Sequence, residues 1–150
     1  MITSAIVAYL HYLGLMLSFA ALFVEALFFK KDISLKEAKL VGIADGVYGL
    51  AASTILVTGI LRVLYFGKGS AYYLNNTLFW VKIAIFIVVG LLSLYPTVTF
   101  IFWWVKDLIK DQVLAISEVQ HTLITWSIRA ELLGFCLIPL MAALMARISV

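Results

Sequence analysis

Four runs of apolar residues, each long enough to cross a bilayer, leave this chain little choice of fold. They cover about residues 3–29, 43–66, 78–104 and 123–147. A helix rises ~1.5 Å per residue, so twenty or more residues cross ~30 Å of hydrocarbon with some tilt. Lipid cannot hydrogen-bond an exposed backbone, and a helix satisfies its own. A soluble domain of this length would carry charge along every helix. Here 65% of the 150 residues are apolar, only 13% are charged, and the charges gather mainly between the runs. The expectation is a single all-α domain, an integral membrane four-helix bundle with short connectors.

The punctuation agrees. The first run stops at Lys30-Lys31-Asp32, and Ser34-Leu35-Lys36-Glu37 is a capping-box pattern that restarts a helix ahead of the second run. Gly67-Lys68-Gly69-Ser70 ends that helix. The stretch 71–76, with Tyr72 and Tyr73, reads as an interfacial loop that caps the next helix near Thr77. Lys106 to Gln120 reads as a polar, helical connector. Trp80, Trp103, Trp104 and Trp126 read as interface anchors, and Pro139 as a kink in the last span. The amino-terminal run lacks a basic n-region and is too long for a cleaved signal, so it is expected to remain as the first span. The lone Cys136 offers no disulfide or zinc pattern.

Lys30, Lys31, Lys36 and Lys39 crowd the first connector, and Lys106 and Lys110 the third. The middle connector has Lys68 and the carboxy-terminal end has Arg147. This bias directs the first and third connectors to the cytoplasm, and both termini and the Gly67–Asn76 loop to the outside, which is the periplasm if the source is a bacterium with two membranes. No basic stripe suggests nucleic acid. Without a Gly-rich phosphate loop, GxSxG, HExxH or a clustered set of acidic oxygens, hydrolysis of a soluble substrate is not expected.

Ionisable groups within the runs cost roughly 2.5–3.5 kcal/mol each at a helix centre, so each should face the bundle interior, a cavity or a ligand. By depth they form two layers. His11, Arg62 and Lys82 share the outer half, while Glu25, Asp45, Arg129 and Glu131 lie toward the cytoplasm. His11, Ser18 and Glu25 are seven apart and form one polar seam along the first helix. Gly42, Gly46, Gly49 and Ser53 recur at the small-residue spacing of closely packed membrane helices. His121 reads as a solvated interfacial histidine.

Two chemistries suit these layers. A buried imidazole can be an axial haem ligand, and a neutral amine at Lys82 a second one. Lys82 and Arg62 could instead bind carboxylates as cations, or Lys82 could snorkel to the headgroups. In the rival case Glu25, Asp45, Arg129 and Glu131 move protons or ions, or merely pair to fix helix register.

The segments Asp45-Gly46-Val47-Tyr48-Gly49, Leu61 to Gly69, Tyr72-Tyr73, Phe79-Trp80-Val81-Lys82 and Gly90 to Thr97 resemble a family of small bacterial inner-membrane proteins catalogued as a domain of unknown function. More distantly, His11 in Tyr9-Leu10-His11-Tyr12 and Lys82 in Trp80-Val81-Lys82-Ile83 resemble two positions of the HemJ-type protoporphyrinogen IX oxidases, which are grouped with CopD-like membrane proteins. Where those oxidases continue with a proline-arginine pair this chain has Ala26-Leu27, preceded by Glu25. The likeness implies haem b with His11 on iron, Lys82 as opposite ligand or proton-handling group, and Arg62 on a propionate. It implies a redox role: porphyrin or quinol oxidation, or electron transfer. The residue-based alternative is a non-redox protein in which Glu25, Asp45 and their neighbours move protons, or a structural subunit of a membrane complex. Its partners would be lipid and a second copy of the chain.

Overall fold

The computed structural model describes residues 1–148. Five α-helices follow in order: α1 (Ile2–Phe28), α2 (Leu35–Leu61), a short α3 (Ser70–Leu74), α4 (Thr77–Lys106) and α5 (Glu118–Arg147). The four long ones are long and apolar enough to cross a membrane. They bracket the expected spans, each edge lying within a few residues except where α2 and α5 begin early on their caps. Ser34 caps α2 through the predicted capping box with Glu37, and a second box, Ser117 with Gln120, starts α5. Asn76 caps α4 by accepting from the Leu78 amide at 2.9 Å. The segment 71–76 is not wholly a loop, because its first four residues complete α3.

The last turn of α2 widens into a π-helical segment, Arg62–Phe66. Gly67 then ends it under the Tyr73 ring, where an added Cβ would lie 2.3 Å from the Arg62 carbonyl oxygen. Between α4 and α5 the expected helical connector is absent. A single 3₁₀ turn, Leu108–Lys110, stops at Asp111, whose φ of 54° is left-handed, and extended chain runs to Ser117. The polar composition of that stretch suits a helix, but Leu108, Leu114 and Ile116 are tucked under the bundle, so burial sets its path.

α1 packs along α2, α4 along α5, and α1 against α5, whereas α2 and α4 touch only lightly. One end of the bundle carries the α1–α2 and α4–α5 connectors, and the other carries the Gly67–Asn76 loop. Near the connector end Phe29, Phe100 and Trp103 stack into a plug, with His121 against Phe29 at 5.6 Å between ring centroids. Trp103 is therefore core and no interface anchor, and His121 is a plug residue. A second cluster, Ala21, Leu22, Tyr48, Ile55, Val89 and Phe135, fills the middle. Outward residues such as Met16, Leu50, Leu91 and Leu133 are at least 60% exposed, the surface of a protein whose solvent is lipid. α5 runs on through Pro139.

Glycines govern the close approaches. An added Cβ on Gly14 would sit 3.0 Å from the Ala51 carbonyl oxygen across the α1–α2 contact, and one on Gly134 would sit 2.2 Å from Val89 between α5 and α4. Gly42 faces Trp104, yet Gly46 and Gly49 meet nothing within 4 Å. The glycine spacing of α2 thus marks a close contact only in part, because the partner helix on that side, α4, stands off.

Candidate functional site: two polar layers

The seam of α1 is real. Ser18 and Glu25 are buried at 0% and 1% exposure, and His11 is half-buried above them. Around Glu25 the other helices bring Asp45 (5% exposed) from α2 and Glu131 (1%) from α5, all within electrostatic range of Glu25. α4 adds Thr97, whose hydroxyl donates to Asp45 Oδ1 at 2.7 Å. Tyr48 turns its hydroxyl toward Glu131 and Ser93. Every long helix therefore contributes to this layer, which lies between the aromatic plug and the central apolar cluster.

Among the described residues the layer has no cation. Arg129, expected to share it, is exposed and lies over the Trp126 ring at 5.5 Å. The reason is angular: a residue two positions from Glu131 points about 200° away around the helix, so when Glu131 faces inward Arg129 faces out. Glu25 Oε1, Glu131 Oε1 and the Ser18 hydroxyl are buried without a hydrogen-bond partner. Among the described residues no three of His, Cys, Asp and Glu come together closely enough to hold a metal ion.

A cleft of about 210 Å³ opens beside this layer between α2 and α4, lined by Tyr48, Gly49, Gly90, Ser93, Thr97 and apolar neighbours. Of its three polar residues, Thr97 bonds Asp45, Tyr48 faces Glu131, and Ser93 lies beside the Tyr48 hydroxyl. The carboxylates do not themselves line it; the cleft lies beside them, behind Tyr48 and Thr97.

Toward the loop end lies the second layer. His11 Nδ1 is 3.0 Å from Thr58 Oγ1, and that hydroxyl already donates to the Thr54 carbonyl at 2.5 Å. The imidazole must then donate through Nδ1, which leaves the Nε2 lone pair free. Gly59 makes room for the ring, since an added Cβ there would stand 3.3 Å from His11 Cε1. Arg62, one turn further along α2, lies over the Tyr12 ring at 5.0 Å and donates to the Tyr12 hydroxyl at 3.4 Å. Lys82 on α4 is half-buried over Phe79 at 5.3 Å, and both cations are within electrostatic range of His11.

His11, Arg62 and Lys82 are thus brought into one layer, and Glu25 and Asp45 into another, as the sequence suggested. Glu131 was foreseen by depth, but Thr97, Thr58, Tyr48 and Ser93 were not. Thr58 and Thr97 lie 47 and 52 residues from their partners, and helical threonines usually bond within their own helix, so nothing local marks them.

Residues 3–148 match the family described as a predicted membrane protein, DUF2214. No curated protein and no solved structure matches the chain. With four membrane-length apolar helices and a family match over nearly its whole length, the chain belongs to the DUF2214 membrane-protein family.

Proposed function

We propose that this protein handles protons inside a bacterial cytoplasmic membrane, with the Glu25, Asp45 and Glu131 layer as the proton-bearing group and the α2–α4 cleft as its approach. The observation that carries this reading is the pair of sealed glutamates on α1 and α5, each with an oxygen lacking any partner. An ion sealed from water without a partner costs several kcal/mol, a cost that a proton removes. Intramembrane carboxylates facing a bundle interior mark proton paths in pumps and transporters. The geometry favours protons over a metal ion, because the carboxylates do not converge on a common point. Thr97 donates to Asp45 and Tyr48 faces Glu131, and both side chains line the cleft wall, so their hydroxyls are the groups through which a proton would pass between the cleft and the acids. The basic bias of the connectors orients the carboxylates toward the cytoplasm and the termini toward the periplasm.

The test is proton flux into proteoliposomes under an imposed potential, read with an entrapped pH-sensitive dye. Wild type should exceed protein-free vesicles, and Glu25→Gln and Glu131→Gln should each slow flux at least about ten-fold, the effect expected of removing a positioned acid or base. Wild-type flux no greater than that of empty vesicles ends this reading.

A second reading, haem b with a redox role, is favoured by the free Nε2 lone pair of His11 and by Lys82 in the same layer. The donors suit iron: His11 and Lys82 would hold the group and Arg62 would pair with a carboxylate arm. Neither the α2–α4 cleft nor the shallow groove between α1 and α2 is lined by these residues, however. Bound haem would supply one-electron chemistry. Purified protein from haem-replete cells should then show a Soret band that His11→Ala abolishes, and colourless wild type rules haem out.

A further inference from the structure

We propose that Arg62 and Lys82, with the Tyr12 hydroxyl, form a binding site for the phosphate of an anionic lipid headgroup at the loop end of the bundle. The charge distribution favours an anionic partner there. All eight Asp and Glu side chains lie in the half nearer the connectors, together with seven basic residues, while Arg62, Lys68, Lys82 and Arg147 occupy the other half without one acidic side chain. The ion pairs Lys30–Glu37, Lys31–Glu118 and Lys39–Asp111 all lie at the connector end. Two half-buried cations, Arg62 at the end of α2 and Lys82 on α4, share this layer within electrostatic range of each other, and an anion between them would relieve their repulsion.

The geometry also fits. Arg62 is held against Tyr12 with most of its fork of donors unused. Arg62 opens the π-helical segment, a distortion frequent at functional sites. Lys82, over Phe79 on α4, lies within electrostatic range of Arg62. Tyr9, Tyr12 and Tyr65 are 61%, 54% and 73% exposed around the site, an aromatic rim suited to headgroup depth. Exposed Ile60 and Leu64 beside them offer a path for acyl chains. A lipid phosphate reaches such a place from the side, with its tails remaining in the bilayer. This site is independent of the carboxylate layer.

The experiment is native mass spectrometry of full-length protein released from nanodiscs holding equal amounts of phosphatidylglycerol and phosphatidylcholine. Wild type should carry phosphatidylglycerol in preference, the Arg62→Gln/Lys82→Gln variant should carry about ten-fold less, and Lys82→Arg and Lys68→Gln should behave as wild type. Circular dichroism and gel filtration check folding. Should the double variant not fold, the contrast of Lys82→Gln with Lys82→Arg decides. Equal retention of both lipids by wild type, or no loss in the variants, overturns the proposal. So does displacement of the lipid by millimolar inorganic phosphate without lipid preference, which would assign the site to free phosphate. A Soret band in the purified protein would give His11 and Lys82 to haem instead.

Discussion

Gly14 and Gly134 mark the places where the bundle tolerates no side chain, and they differ from Gly46, which borders open space. At Gly14 the obstacle is the Ala51 carbonyl oxygen, part of a backbone that cannot rotate away. Gly14→Ala should therefore lower stability in detergent by about 1–3 kcal/mol, the usual cost of overpacking. Gly46→Ala, with nothing to strike, should be neutral or stabilising by up to about 1 kcal/mol, since alanine suits a helix better. Thermal melts of the two variants beside wild type make the comparison, and equal losses would mean α1 and α2 are not in contact at Gly14. Thr97 is the polar counterpart. Thr97→Val keeps the shape and removes the one donor to Asp45, so it should cost about 1–3 kcal/mol and slow proton flux, while Thr99→Val, whose hydroxyl only bonds back to Tyr95, should do neither.

Among the elements, α2 and α4 are the pair that stands apart, and under the proposed function the gap between them is the route to the carboxylates. Gly90 lies on that wall with nothing within 4 Å of an added Cβ. Gly90→Leu should fill the cleft and cut flux at least about ten-fold while leaving the melting temperature near wild type; unchanged flux would mean that protons reach Asp45 and Glu131 another way. Such gaps cannot be read from hydropathy. The spans were legible because bilayer thickness imposes a length that any apolar run of that size declares, and Ser34 and Asn76 announced their helices because capping is local chemistry. The path of residues 107–117 was not legible, because it depends on which apolar side chains the bundle end can shelter. Sequence depth placed His11, Lys82 and Glu25 in the right layers, but whether Arg129 or Glu131 turned inward was settled only by the packing of α5 against α1 and α4.

For the whole molecule, charge is segregated twice: across the membrane, and between its interior and its surface. The connector end is nearly balanced, seven basic residues against eight acidic, yet three of those acids are buried in the bundle and contribute no surface charge. What the surface of that end presents is basic, and basic residues near the ends of spans hold them on the cytoplasmic side. The loop end presents fewer cations, and two of them, Arg62 and Lys82, are half withdrawn into their own layer. Orientation should therefore be fixed with the loop outside. With Cys136 replaced by serine, Lys68→Cys should react with a membrane-impermeant maleimide added to intact spheroplasts, whereas Lys110→Cys, exposed on the 3₁₀ turn, should react only after the membrane is opened. Labelling of Lys110→Cys in intact spheroplasts would invert the topology. The carboxylates would then face the periplasm, and the anion layer would face the cytoplasmic leaflet.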